Sequence, residues 1–372
     1  MPPNSPRDFF GVKRNTAEIK AEILMPFVRA WCSTSISKQN AADDKPVLYI
    51  DLNALANGPD ETLAILEAIY SAKGTSANFA QKVCTWFYTS GNEADASINA
   101  ALENPAISES LSYQPMVLTE TQDPELLHDL PDQNQASLIY LEPFSFKYTS
   151  VLPSKLIANP GADLFMLFSD EELKAAFSKK KVSPVVEVLL QEQLPAISSY
   201  FKSERNAVKR SEFILENLET SLLQKGYYPL KFTIGSPDKN EFSHYLVVAC
   251  KLPATFASIK EILLPYSDHR ADGVPLFTIN LKNTSQLSLF PDDREQSVAN
   301  LAADLSKKAK LYNYKLIDKI YEHHHTGTRY IKDNYKDAIE RMRDEGIIML
   351  LNSKTMQPIK KATYTSMVKY KV

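Results

Sequence analysis

The sequence lacks most of the short signatures from which an activity is read directly. It contains 3 cysteines, Cys32, Cys84 and Cys250, and no two of them stand at Cys-x-x-Cys spacing. That argues against a disulfide framework and a structural zinc site, and it fits a reducing compartment. The longest apolar runs, such as Leu246 to Ala249, are strand-sized, so no segment reads as a membrane span and no membrane partner is expected. The first residues show no basic stretch followed by an apolar run and a small-residue cleavage site, which predicts a cytoplasmic protein without a signal peptide. There is no Walker phosphate loop, no Gly-x-Gly-x-x-Gly and no Gly-x-Ser-x-Gly elbow; His269, Arg270 and Asp272 in "YSDHRADG" stand without a nucleophile motif. These absences count against an NTPase, a dinucleotide oxidoreductase and a hydrolase. No internal repeat is visible.

What is present is a foldable chain of uneven charge. At 372 residues, 44% hydrophobic and 23% charged, it predicts one large globular domain and one small one. The net charge of −3 conceals an asymmetry: residues 307–372 carry 15 Lys/Arg against 7 Asp/Glu, so the remainder is acidic. A basic tail on an acidic body would meet a polyanion first; a solvated basic surface is the alternative.

The first element expected is a helix. Asn15 and Glu18 have capping-box spacing, and Ile19, Ile23, Phe27 and Trp31 draw one apolar stripe, with Pro26 predicting a kink. Alternation follows: a strand from Val47 to Leu52, a helix from about Glu61 to Lys73 capped by Asp60, and a strand from Val83 to Thr89. Asn92 caps a further helix bearing Ile98 and Leu102. Strands are expected at Pro115 to Leu118, Ser137 to Leu141 and Asp163 to Phe168. This spacing predicts a doubly wound parallel sheet covered on both faces. A long helical region from Glu187 to Lys225, broken near Pro195 and Ser203 and ended by Gly226, leads into a hairpin of Tyr227 to Ile234 and Phe242 to Lys251. A parallel sheet finished by a late antiparallel hairpin is the plan of class I methyltransferases.

In the tail, Leu311 to His323 and Asn334 to Glu345 read as helices, with Thr326-Gly327 between them. Strands at Ile347 to Leu351 and Lys360 to Thr365 flank an SKTMQP turn. Helix, turn, helix, hairpin is the winged-helix plan. The expected division is therefore an α/β Rossmann methyltransferase-like domain over 1–280, a linker over 281–306 and a basic winged-helix domain over 307–372.

With these elements placed, the chain resembles the three-Cys-motif partner family. The likeness rests on "EIKAEILMPFVRAW", "LYIDLNALANGPDETLAILEAI", "IYLEPFSFK", "HYLVVACK" and "TGTRYIKDNYKDAIERMRDEGII". The resemblance implies a Rossmann methyltransferase-like domain fused to a winged helix, working beside a radical-SAM-like three-cysteine protein that supplies the cysteine motif. It also implies an Asp-x-Phe-Ala-Gly-x-Gly-type loop after the first strand, where glycine lets the backbone approach S-adenosylmethionine. Here that stretch reads Asp51, Leu52, Asn53, Ala54, Leu55, Ala56, Asn57, Gly58: Asp51 and Gly58 remain, and Ala54 or Leu55 stands where glycine is expected. Asp51, Asn53, Asn57 and Gly58 are the candidate cofactor ligands. At the end of the second strand, where an acid usually holds the ribose, stand Thr89 and Ser90, with Glu93 already in the next loop. The expectation is S-adenosylmethionine bound weakly or not at all, and no metal.

Three further groups carry functional expectations. Glu142-Pro143-Phe144 ends the fourth strand where amino-methyltransferases carry an Asp/Asn-Pro-Pro-Tyr/Phe loop, which makes Glu142 and Phe144 the candidate catalytic pair; the alternative is a strand-ending turn with a core phenylalanine. Gln286, Leu289 and Phe290 match the short peptide that grips the replication sliding clamp, or else dock a linker onto its own domain. Lys332, Lys336, Arg341 and Arg343, with Tyr330 and Tyr335 between them, are the candidate phosphate contacts of a nucleic-acid-binding tail. His323, His324 and His325 are consecutive, so they cannot converge on one ion and read as structural.

Overall fold

The computed structural model describes residues 5–39, 45–54, 59–70, 78–89, 111–119, 135–145, 151–178, 181–236, 242–280 and 296–371. Two compact units are formed, Val12–Ile262 and a second made of Met1–Gly11 with Leu263–Val372.

The larger unit opens with α1 (Thr16–Lys38), whose start is fixed as the spacing predicts. Asn15 Oδ1 accepts from Glu18 N at 2.9 Å, and Glu18 Oε2 accepts from Asn15 N at 3.0 Å. The helix runs unbroken through Pro26, so the expected kink does not interrupt it. Strand β1 (Val47–Asp51) leads to α2 (Pro59–Tyr70); that helix begins two residues before the expected start because Pro59 already has the φ a first turn needs. After α3 (Asn78–Lys82) come β2 (Val83–Thr89), β3 (Met116–Thr119), β4 (Ser137–Leu141), α4 (Leu152–Ile157), β5 (Ala162–Ser169) and α5 (Asp170–Ser178). The long helical region is three helices: α6 (Pro184–Leu190), α7 (Leu194–Ser203) and α8 (Ala207–Gln224). Its breaks fall at Gln191–Gln193, just before Pro195, and after Ser203, and Gly226, at φ +76, ends α8. β6 (Tyr228–Gly235), β7 (Phe242–Cys250) and α9 (Pro253–Leu263) complete the unit.

The strands lie in the order β3-β2-β1-β4-β5-β7-β6, with β1 to β5 parallel and β7 antiparallel to both neighbours. This is a doubly wound Rossmann sheet of the methyltransferase type, closed by a late hairpin. One face carries Leu48, Ile50, Ile139, Leu164 and Met166 into a core shared with Val186, Ile214 and Leu218 from the helices. The other face presents Tyr49, Asp51, Tyr140, Asp163 and Phe165 to α1.

The second unit contains β8 (Thr278–Ile279), α10 (Val298–Lys307), α11 (Ala309–Tyr312), β9 (Lys315–Leu316), α12 (Ile317–His324), α13 (Lys332–Asp344), β10 (Ile348–Asn352) and β11 (Ser366–Tyr370). The three strands β10-β11-β9 form an antiparallel sheet against the helices, a winged helix. Three expectations need correction. The stretch expected to be linker contains α10, capped by Ser297 and contributing Leu301 and Leu305 to this unit's core. The helix expected over Leu311 to His323 is divided, because Tyr314 adopts φ 58 and donates its N–H to Val368, turning the chain into β9. The last strand lies at Ser366–Tyr370, six residues beyond the expected one, and residues 353–365 form a long wing instead.

Candidate functional site

In an open α/β sheet, ligands bind beyond the carboxyl ends of the strands where the strand order reverses. Here that place lies between β1 and β4. Asp51 ends β1, pairs in register with Tyr140, and both side chains rise on the face covered by α1. The helix delivers Lys20 there. Its Nζ lies 2.7 Å from Asp51 Oδ2 and 4.0 Å from the centre of the Tyr140 ring, and both charged side chains are 1% exposed. Asp51 also accepts from Tyr49 Oη at 3.3 Å and from the Asn53 backbone N–H at 2.8 Å. Next to it, Tyr140 Oη donates to Glu142 Oε1 at 2.9 Å, and Glu142 is buried. The result is a buried polar cluster of Lys20, Tyr49, Asp51, Tyr140 and Glu142.

The sequence-derived residues distribute unevenly over this edge. Asp51, Asn53 and Glu142 are brought together. Phe144 is not presented to a ligand: it is 1% exposed, its ring stands edge-on to Phe168 at 4.7 Å and it neighbours Phe177, so it is a core ring. Thr89 ends β2 buried. Leu55, Asn57, Gly58, Ser90 and Glu93 lie outside the described residues, as do Gln286, Leu289 and Phe290. Lys20 was missed by the sequence reading, although a signal existed. It shares an i, i+4 row with Leu24, Val28 and Cys32, all buried, and a lysine in such a row implies a buried carboxylate partner.

Further along α1, Trp31 Nε1 donates to Asp163 Oδ2 at 2.8 Å, and Asp163 Oδ1 accepts from Lys251 N at 2.6 Å. Burial pushes the Asp163 carboxyl up to about 6 despite these donors. The three cysteines are buried, and burial raises their thiols above the ordinary range, which favours the protonated form over the nucleophilic thiolate. Among the described residues no three His, Cys, Asp or Glu are grouped to hold a metal ion, and no helix is long and apolar enough to cross a membrane.

In the winged-helix unit the three consecutive histidines go to three different places. His323 Nδ1 lies 3.0 Å from Tyr312 Oη, and His325 stacks on Tyr321. His324 is held between Tyr335 Oη at 2.7 Å on Nδ1 and Asp304 Oδ2 at 2.7 Å on Nε2, which assigns the neutral Nε2–H tautomer. Burial keeps its imidazole below the ordinary range, helped by Lys308 and His323 and opposed by Asp304. The neutral form is therefore the one the fold prefers. Its contribution is complete above the unfolded value near 6.5 and lost as pH falls through the lower folded value. Amide exchange in α10, α12 and α13 is expected to accelerate as pH drops from about 7.5 to about 5.5, after correction for intrinsic rates, and His324→Gln is expected to flatten that slope. An unchanged slope in the variant would remove His324 as its cause.

Three of the four candidate phosphate contacts on α13 are engaged within the unit. Lys332 pairs with Asp318 at 2.9 Å, Arg341 with Glu345 at 2.8 Å and Arg343 with Asp344 at 2.8 Å; Lys336 is in no ion pair among the described residues. On the same helix Asp333, Asp337, Glu340 and Asp344 recur at i, i+4, i+7 and i+11, a single acidic stripe.

Residues 278–354 match the family model described as a GMT-like winged helix-turn-helix domain. No curated protein matches the chain. Solved structures similar to it include a putative transferase from Pyrococcus horikoshii, at 12% identity and a TM-score of 0.30 over 64% of each chain. Another is an S-adenosylmethionine-bound O-methyltransferase of tomaymycin synthesis from Streptomyces achromogenes, at 7% identity and a TM-score of 0.31 over 64% of this chain and 91% of that one. A predicted O-methyltransferase from Agrobacterium tumefaciens follows at 13% identity and a TM-score of 0.29, over 62% and 79%. The chain thus spans about two thirds of the first of these structures, and its carboxyl-terminal part is similar to the GMT-like winged-helix family.

Proposed function

We propose that this protein is an accessory, nucleic-acid-associated factor built on a methyltransferase scaffold whose cofactor site is closed by its own side chains, and that it acts beside a three-cysteine partner protein. The observation that carries this reading is the buried Lys20–Asp51 pair. S-adenosylmethionine presents an ammonium and a sulfonium, so its pocket needs available carboxylates. Asp51 already binds an ammonium that the chain supplies itself, and the end of β2 offers Thr89 in place of an acid. The described residues do not fit the cofactor.

Calorimetric titration of the full chain with S-adenosylmethionine and S-adenosylhomocysteine is expected to give no saturable heat up to about 1 mM ligand, a limit corresponding to about −4 kcal/mol. A micromolar dissociation constant would overturn the closed-site reading. It would favour instead an active S-adenosylmethionine-dependent nucleic-acid methyltransferase, for which the position of Glu142 beyond β4 is the supporting observation: a carboxylate there can accept the proton of a target amine. Phe144 could serve such an enzyme only as support for the Glu142 turn, since its ring is spent in the core.

A further inference from the structure

The net basic charge of the winged-helix unit does not reside on α13, the second helix of its helix-turn-helix and the one that reads a groove in the common docking geometry of such folds. Within α13, Lys332, Lys336, Arg341 and Arg343 are balanced by Asp333, Asp337, Glu340 and Asp344. After Glu345 the chain contains no acidic residue at all, while Lys354, Lys360, Lys361, Lys369 and Lys371 follow. Lys354, Lys360 and Lys361 lie in the wing, are exposed, and are in no ion pair among the described residues.

The wing also covers the helix. Arg343 donates to the Lys360 carbonyl, Glu340 Oε1 accepts from Ala362 N at 3.0 Å, and Tyr364 Oη donates to Asp333. As the wing advances from 360 to 364, its partners step back along α13 from 343 to 333. Residues 360–364 therefore run antiparallel along the acidic side of the helix, and that side is both occupied and of the wrong charge for phosphate. The preceding part of the wing points its polar residues outward. Lys354, Thr355, Met356 and Gln357 are exposed around a turn in which Met356 adopts φ 56 and Asn352 Oδ1 accepts from Lys354 N and Thr355 N. A short, self-stiffened turn flanked by unpaired lysines suits a groove about 6 Å wide bordered by two phosphate rows.

We propose that this protein contacts duplex DNA through the wing, with the Lys354 to Gln357 turn at the minor groove and Lys360 and Lys361 on the flanking phosphates, while α13 stays out of the major groove. The proposal rests on the nucleic-acid-associated reading above and deepens it.

The test is fluorescence anisotropy of the full-length protein on a duplex DNA of about 20 base pairs and on the matching duplex RNA, across a salt series. Two variants are compared with the parent: Lys354→Ala/Lys360→Ala/Lys361→Ala, and Lys336→Ala/Arg341→Ala. Removing two phosphate contacts and the groove lysine is expected to weaken DNA binding by at least about tenfold and to reduce the log–log salt slope by about 2, whereas the helix variant keeps both within about twofold. Circular dichroism of the wing variant is expected to match the parent, since all three lysines are exposed. Loss of binding in the helix variant with retention in the wing variant overturns the proposal and leaves the nucleic-acid reading intact. Tighter, wing-dependent binding to the RNA duplex overturns the choice of DNA. Absence of binding by the parent to either duplex overturns the nucleic-acid reading itself, and the proposal with it.

Discussion

Lys20→Met is expected to lower the melting temperature of the sheet unit by about 10 °C. Removing one member of a buried ion pair leaves the other charge uncompensated and costs about 3–5 kcal/mol, and for a unit of this size each kcal/mol is worth about 2–4 °C. Asp51 would be the uncompensated charge, with the Tyr49 hydroxyl and the Asn53 N–H left as its donors among the described residues. The double variant Lys20→Met/Asp51→Asn is expected to recover most of the loss. An asparagine oxygen still accepts from Asn53, and no naked carboxylate stays buried. Differential scanning calorimetry of the two variants decides it: a double variant no more stable than the single one would mean that the lysine contributes through packing alone. The same pair of proteins separates stability from ligand chemistry, because the double variant removes the internal ammonium and the acid together.

The second large effect is expected in the winged-helix unit. Tyr335 is fully buried and stands edge-on to Tyr321, Tyr330 and His324, while its hydroxyl holds His324 Nδ1. Tyr335→Ala empties the middle of this aromatic cluster and is expected to cost about 3–5 kcal/mol, the range for buried aromatic truncation. Tyr335→Phe keeps the ring contacts and removes only the hydroxyl, and is expected to cost about 1–2 kcal/mol. Hydrogen exchange over residues 296–371 measures both. Equal losses in the two variants would show that the hydroxyl, and not the ring, carries the effect.

How far the sequence foretold these sites depends on what each residue had to reveal. The start of α1 was legible because its cap is local: Asn15 and Glu18 act on each other's backbone whatever the rest of the chain does. The sheet was legible because β1, β2, β4 and β5 are buried on both faces and read as short apolar runs. α5 was overlooked although its signal was present, since Ser169 and Glu172 stand at capping-box spacing and bond to each other's backbone. It follows β5 without a loop, and no turn residue announced it. The division at Tyr314 was not legible, because a tyrosine at positive φ is held there by the hydrogen bond its N–H donates to a strand fifty-four residues away. The Lys20–Asp51 pair lies between the two cases. The unusual lysine was visible in its apolar row, but its partner is set by the sheet. For Phe144 the sequence left two readings, a ring at the ligand edge and a core ring: its place at the edge of β4 was legible, whereas the direction of its ring depends on Phe168 and Phe177 from other elements.

α1 carries two polar pins on one face, Lys20 in the Asp51 carboxylate and the Trp31 indole on Asp163. Eleven residues of helix separate them, a span of about 16 Å. A carboxylate waits at each end, so the helix has only one seating: a slide of one turn, or a rotation by one residue, would strand both acids in an apolar layer. Greasy contact alone would tolerate neighbouring registers. The consequence is a clasp that closes in a single step, in which either pin left open raises the cost of the other. Solvent reaching the beginning of the helix would therefore be felt at the amino end of β5, at the opposite end of the strands from the ligand edge.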